Sequence, residues 1–259
     1  MKVSDLLGNR VHRTLLQKVM NKSLEELFLE PQVQLSAEQE AQFQTMLARY
    51  ASGTPIAYLL GEQAFYGRSF LVNEDVLIPR PETEGLVERA LKITADRVLE
   101  LCTGSGVLAV TLAIEGREVS AVDISSRALE VARQNAKKHG VHVHFMEGDL
   151  FSKVQGKYDL IIANPPYIDS KELRKLDVFS QEPTVALDGG ERGMEIIARI
   201  LEEAPKFLTE GGILLLEIGW DQAEEVKEKA SGYECVTIER DLFGRDRYVI
   251  ARYGRKNAG

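Results

Sequence analysis

The sequence predicts an α/β protein, a doubly wound and mostly parallel sheet covered by helices, preceded by a small helical unit and a β-hairpin. Three observations carry this. From Pro81 onward, strand-length apolar runs alternate with helix-length amphipathic segments, the pattern of a parallel sheet with crossover helices on both faces. The last two strand segments are joined by Arg240–Asp246, with Gly244 as its only breaker, which is too short for a helical crossover and implies an antiparallel pair. Before Ala64 the apolar spacing is helical instead.

The first fifty residues read as helices, with Leu6, Leu7, Val11, Leu15, Leu16 and Val19 at three- and four-residue spacing and a second helix over Ala37–Tyr50. Ser36 and Gln39 have the spacing of a capping box, and Gly53-Thr54-Pro55 stops the helix. Aromatic and β-branched residues around turns between Ala64 and Ile78 predict a hairpin connector. The expected organisation is a helical unit at 1–62, a hairpin linker at 63–80, an α/β domain at 81–253 and a frayed tail at 254–259. Within the catalytic part the expected order is helix Glu82–Ile93, strand Arg97–Leu101, helix Val107–Glu115, strand Glu118–Val122, helix Arg127–His139, strand Val141–Met146 and strand Tyr158–Ala163. After a long loop come helix Met194–Leu208, strand Ile213–Ile218, helix Gln222–Lys229 and strands Glu234–Glu239 and Arg247–Arg252.

Composition narrows the function. The chain has 259 residues, 44% hydrophobic and 28% charged, which sets aside collagen-like and disordered classes. Its net charge of -8 argues against grasping nucleic acid directly, an affinity that rests on neutralising phosphates with cations. Met1–Asp5 reaches an acidic residue before any apolar run, unlike a secretory signal, and the longest apolar stretches fall far short of the ~20 residues that span a bilayer, so no membrane partner is expected. Cys102 and Cys235 lie in apolar segments and are expected to be buried, reduced thiols, with the cytoplasm as the compartment.

Glu100-Leu101-Cys102-Thr103-Gly104-Ser105-Gly106-Val107 falls where the first core strand turns into a helix, a place suited to close backbone approach and to anion binding at free N–H groups. The same letters fit the dinucleotide fingerprint G-x-G-x-x-A through Ala109. They also fit the E/D-x-G-x-G-x-G loop of S-adenosylmethionine (SAM) methyltransferases, with Cys102 in place of a glycine. A tight turn that packs helix on strand would look similar. Asp123 ends the next strand, where a carboxylate would accept from ribose hydroxyls, although it could instead cap the following helix. Asp149 and Leu150 follow the third strand, and an acceptor there suits an adenine amino group. All these positions lie beyond the carboxyl ends of parallel strands, the edge at which such sheets bind ligands.

The fourth strand runs into Asn164-Pro165-Pro166-Tyr167. Two prolines would serve as a strand stop, but a strand stop needs neither the Asn nor the Tyr. Asn164 offers a side-chain carbonyl, Pro165 a fixed backbone carbonyl and Tyr167 a flat ring, together a cradle for a planar, conjugated NH2 group. Orienting that poor nucleophile is the main contribution open to an enzyme here.

These motifs, in this order, resemble class I SAM-dependent methyltransferases that act on amino nitrogens. Thr54–Gly61, Phe65-Tyr66-Gly67 and Val76-Leu77-Ile78-Pro79-Arg80-Pro81-Glu82-Thr83-Glu84 narrow the resemblance to the HemK/PrmC family, the protein-(glutamine-N5) methyltransferases of peptide chain release factors. Glu182-Pro183, Ala186-Leu187, Gly189-Gly190, Leu216-Glu217-Ile218-Gly219 and Asp241-Leu242 with Gly244–Arg247 also match, so the likeness runs from about Thr54 to Arg252. It implies a seven-stranded catalytic domain, a helical domain that docks the release factor, and the glutamine of the Gly-Gly-Gln loop as substrate. Carried over by position, Cys102, Thr103, Gly104, Ser105, Gly106, Asp123, Asp149, Leu150 and Asn164 would bind SAM, and Asn164, Pro165, Pro166 and Tyr167 the glutamine amide, with Asn164, Pro165 and Tyr167 catalytic. No metal is expected, and the enzyme is expected to act as a monomer.

Rival readings remain. A glutamine methyltransferase of a ribosomal protein would share the tetrapeptide, and a nucleobase amino group presents the same chemistry but fits the acidic charge poorly. An NAD-dependent oxidoreductase leaves Asn164–Tyr167 unexplained, and a catalytically silent binding module would bind SAM without transferring methyl. His139, His142 and His144 lack partners at metal-ligand spacing and read as surface histidines. Trp220 is expected in the core or a pocket wall.

Overall fold

The computed structural model describes residues 1–176 and 181–254, so the expected frayed tail lies outside the described residues except for Gly254. The chain divides into two compact units, Met1–Glu62 and Gln63–Gly259.

The first unit holds a short 3-10 turn at Val3–Asp5 and helices α1 (Arg10–Met20), α2 (Leu24–Leu29), α3 (Ala37–Ala51) and α4 (Ile56–Leu60). Side chains cap the first three. Asn9 Oδ1 accepts from the Val11 and His12 N–H groups, and Ser23 with Glu26 and Ser36 with Gln39 form reciprocal capping boxes. Leu15, Leu16 and Val19 of α1 close over Leu27, Phe43, Met46 and Leu59, the core of this unit. Asn21, in the left-handed region, ends α1, and α2 is a short helix that the periodicity alone does not single out.

Strands β1 (Glu62–Phe65) and β2 (Arg68–Leu71) form the hairpin around Tyr66-Gly67. Strand structure stops at Leu71 rather than continuing to Ile78. Asn73 accepts the Asp75 N–H in a turn, Pro79 has no N–H to offer a ladder, and the Ile78 N–H is given to Glu182 Oε2 at 2.9 Å. The second unit then continues through α5 (Pro81–Lys92), β3 (Arg97–Leu101), α6 (Val107–Ile114), β4 (Glu118–Asp123), α7 (Ser126–His139), β5 (His144–Glu147), β6 (Tyr158–Ala163) and α8 (Ser170–Leu173). It closes with α9 (Glu195–Glu203), β7 (Leu208–Glu217), α10 (Ala223–Lys229), β8 (Cys235–Arg240) and β9 (Asp246–Arg252).

The seven-stranded sheet has the order β5-β4-β3-β6-β7-β9-β8, parallel except for β9, which runs antiparallel to both neighbours. This is the class I methyltransferase arrangement. Strand side chains alternate between two apolar layers. Leu99, Leu101, Ile161, Leu214 and Leu216 face the layer closed by Ile197, Ile200 and Leu201 of α9 and Val226 of α10, whereas Val98, Leu160, Ile162 and Leu215 face α5, α6 and Ala136 of α7. The chain crosses from β5 on one side of β3 to β6 on the other. Loops leaving β3 and β6 therefore part at their carboxyl ends and open a crevice, the usual ligand position in such sheets.

Some boundaries move for identifiable reasons. The expected strand from Val141 begins only at His144, because the Val141 N–H caps α7 through Ala136 O, so His142 does not share a strand with His144. The helix expected to reach Leu208 ends at Glu203 before Pro205, and Leu208 already belongs to β7. Cys235, expected buried, is exposed on the edge strand β8, and Trp220, expected in the core or a pocket wall, is 61% exposed. His139 is partly buried against Phe70 rather than a plain surface residue. Among the described residues no helix is long and apolar enough to cross a membrane.

Candidate active site

The crevice contains a cavity of about 690 Å³. Its floor is built at the end of β3, where Glu100 is buried and its Oε2 accepts from the Ala109 N–H at 3.0 Å and from the Thr103 hydroxyl. Those bonds tie the strand end to the first turn of α6. Burial pushes the Glu100 carboxyl up to about 8 against the lowering effect of both donors. Desolvation likewise raises the thiol of Cys102, which is partly rather than fully buried and lines the cavity, with the Asp123 carboxylate adding to the rise.

Asp123, at the end of β4, reaches across to this loop. Its Oδ2 accepts from the Gly104 N–H at 2.8 Å and its Oδ1 from the Ser125 N–H at 2.9 Å, while Ser125 Oγ caps α7 through the Ala128 N–H. The helix cap is thus Ser125, and each Asp123 oxygen keeps acceptor capacity on the cavity wall. Desolvation raises the Asp123 carboxyl, opposed by these backbone donors. Asp149, after β5, pairs with Arg199 of α9 at 2.8 Å through Oδ2, and the buried Leu150 sits beside it.

The tetrapeptide after β6 forms the opposite wall. Asn164 Nδ2 donates to Thr83 Oγ1 at 3.0 Å, and Thr83 Oγ1 donates to Glu217 Oε2 at 2.9 Å. Tyr167 Oη donates to Glu217 Oε1 at 3.2 Å. With its amide nitrogen committed to Thr83, Asn164 keeps Oδ1 as an acceptor with no donor among the described residues. A second cavity of about 190 Å³ is lined by Pro165 and Tyr167 and shares Leu77, Asn164, Pro166 and Ala186 with the first. The loop carrying Gly189 lies against this backbone so closely that a Cβ on Gly189 would meet Pro166 O at 2.7 Å and Tyr167 Cα at 2.8 Å. Gln222 Nε2 bonds Tyr167 O at 2.9 Å, and Arg80 pairs with the buried Glu182 at the rim.

Of the residues singled out in the sequence, Cys102, Gly104, Asp123, Asp149, Leu150, Asn164 and Pro166 line the large cavity. Thr103 and Ser105 face a small adjoining one of about 50 Å³, and Gly106 lines neither but packs against Ala132. Pro165 and Tyr167 face the second cavity. Sequence reasoning missed Thr83, Arg199, Ile196 and the anchoring part of Glu217. A usable signal existed for Glu217 alone, a carboxylate interrupting the otherwise apolar run Ile213–Ile218.

Two family models match the chain, the Methyltransferase small domain over residues 81–182 and the PrmC N-terminal domain over residues 9–61. The release factor glutamine methyltransferase of Bacillus anthracis is 40% identical over 242 residues, covering 87% of this chain and 86% of that protein. The protein of the same name from Coxiella burnetii is 40% identical over 93% of this chain and 90% of its own length. The crystal structure of a methyltransferase from Pyrococcus furiosus, at 21% identity, superposes with a TM-score of 0.59 over 82% of this chain and all of that one, a likeness of fold. With identity at this level along nearly its whole length, the chain belongs to the release factor glutamine methyltransferase family.

Proposed function

We propose that the protein transfers the methyl group of SAM to the side-chain amide nitrogen of the glutamine in the Gly-Gly-Gln loop of peptide chain release factors, in the cytoplasm where those factors work. The observation that carries this is the Asn164 amide, held by Thr83 with its carbonyl left over at the wall shared by the two cavities.

The large cavity fits SAM by its chemistry. Its volume lies within the usual range for small-molecule sites, it is lined by apolar Val122, Ile124, Leu150 and Ile196, and it carries carboxylates at Asp123 and Asp149. Asp123 would hold the ribose hydroxyls and Asp149 the adenine amino group, with Cys102–Gly106 bracing the remainder. SAM supplies a methyl on a sulfonium whose departure as a neutral thioether needs no acid. The chain's own residues act on the amide. Asn164 Oδ1 and Pro165 O accept its two N–H hydrogens and Tyr167 packs against its plane, orienting the nitrogen and stabilising positive charge that develops on it. No general base is required, because the nitrogen becomes strongly acidic once the new C–N bond forms and its surplus proton passes to water. The helical unit over residues 1–62 would dock the release factor.

Incubation with labelled SAM and either purified release factor or ribosomal subunits, followed by mass spectrometric mapping, tests the proposal. The methyl is expected on the Gly-Gly-Gln glutamine. Label on RNA or a ribosomal protein, with none on the release factor, would refute it.

A further inference from the structure

The geometry assigns to Glu217 the part of a positioning residue, whose carboxylate fixes the direction of a hydrogen-bond relay and thereby decides which end of the Asn164 amide meets the glutamine. The inference rests on the reading of Asn164 as the acceptor of the substrate amide.

Glu217 is 1% exposed at the end of β7, and its two oxygens reach the two arms of the cradle separately, Oε2 through Thr83 and Oε1 through Tyr167. An ionised carboxylate can only accept, so both hydroxyls must donate to it. Thr83 has a single hydroxyl proton. Once that proton is given to Glu217, Thr83 Oγ1 can only accept from Asn164, which must then turn its NH2 toward Thr83 and its carbonyl toward the substrate. The other oxygen, Oε1, anchors the Tyr167 ring through its hydroxyl.

Protonated, Glu217 would become a donor. Thr83 could then accept from it and donate onward, which favours the reverse amide orientation, with NH2 facing NH2 and only Pro165 O left to accept from the substrate. The groups bearing on this carboxylate are Arg247 and Tyr248 from β9, Glu82 and Thr83 from α5, and Tyr167. Desolvation outweighs Thr83, Arg247 and Tyr167, which favour the charge, and lifts the carboxyl to about 7, with Glu82 adding to the rise. Turnover should therefore fall as the pH drops through that region.

The test measures kcat and KM on a release factor at saturating SAM from about pH 5.5 to 9, with SAM affinity followed separately by calorimetry. The wild type is expected to show an acidic limb in kcat that Glu217→Gln, which cannot titrate, removes. Glu217→Leu and Thr83→Val are each expected to lower kcat about 10- to 100-fold with SAM affinity within about twofold of wild type, as befits lost orientation rather than lost cofactor binding. The double variant should be no worse than the poorer single one, because one relay is being cut twice. Thr83→Ser, which keeps the hydroxyl, should recover most of what Thr83→Val loses. An acidic limb absent from the wild type or persisting in Glu217→Gln, wild-type turnover in Thr83→Val, or SAM affinity falling in step with kcat would overturn the assignment. Should Glu217→Leu fail to fold, the Thr83→Val and Thr83→Ser pair decides alone. Near-normal turnover in Asn164→Ala would strike the underlying reading of the cradle, whereas an inactive Asn164→Ala beside a fully active Thr83→Val strikes only the relay.

Discussion

Gly104 and Gly106 stand two residues apart in one loop, yet substituting alanine at each should fail in different ways. Both have positive φ, +54° and +78°, a region that costs an L side chain about 1–2 kcal/mol. A Cβ on Gly106 would also meet Ala132 Cβ at 2.9 Å and Ala132 Cα at 3.2 Å, and backbone on a packed helix does not yield readily. Overpacking of that kind adds about 1–3 kcal/mol, so Gly106→Ala should lose ~2–5 kcal/mol, or about 4–20 °C in Tm at ~2–4 °C per kcal/mol for a unit of this size. A Cβ on Gly104 meets nothing within 4 Å, because that residue faces the large cavity. Gly104→Ala should lose only the backbone cost, about 2–8 °C, but its methyl occupies space meant for ligand and should weaken SAM binding about 10- to 100-fold. Thermal unfolding followed by circular dichroism and SAM titration by calorimetry separate the two. Equal losses of Tm, or wild-type SAM affinity in Gly104→Ala, would refute the division of labour between a ligand-facing and a helix-facing glycine.

Three further outcomes are expected. Asp123→Ala removes the partner of the Gly104 N–H together with the proposed ribose acceptor, and loss of charge-assisted bonds of ~1.5–3 kcal/mol should raise the SAM Kd about 10- to 100-fold; an unchanged Kd would remove Asp123 from the site. Arg199→Ala should change stability by less than about 1 kcal/mol, since its ion pair with Asp149 is about half exposed, while freeing Asp149 Oδ2 on the cavity wall; denaturant unfolding measures this, and a loss above about 2 kcal/mol would show that the pair is structural. The buried Glu100, raised to about 8 in the fold, holds more proton folded than unfolded between its ordinary value of 4.5 and 8, so stability should fall as pH rises through that window, by at most about 1.4 kcal/mol per unit. Glu100→Gln should flatten that slope in urea unfolding at about pH 6 and pH 8, and an unaltered slope would show that the carboxylate does not titrate there.

The fold was legible because its signals are local. Alternating apolar segments give the parallel core, and the short Arg240–Asp246 connection gives the antiparallel end. Boundaries slipped where a backbone N–H was claimed by a partner distant in sequence or by a cap. Ile78 gives its N–H to Glu182, 104 residues on, and Val141 closes a helix instead of opening a strand. The glycine loop, Asp123 and Asn164–Tyr167 were visible because loop chemistry at strand ends leaves a residue-type signature. Thr83 was not, because its importance comes from lying 81 residues from Asn164 in sequence and one hydrogen bond away in space. Arg199 is one cation on an amphipathic helix, and only the packing of α9 brings it to Asp149.

The cradle at Asn164 is tested most directly by single-turnover methyl transfer to a release factor by Asn164→Ala at saturating SAM, with SAM affinity measured on the same preparation. Transfer is expected to fall at least about 100-fold while the SAM Kd shifts by no more than about tenfold, because the residue's carbonyl serves the acceptor amide more than the cofactor. Transfer within about threefold of wild type would contradict it, and the amide would have to be oriented by something other than this side chain.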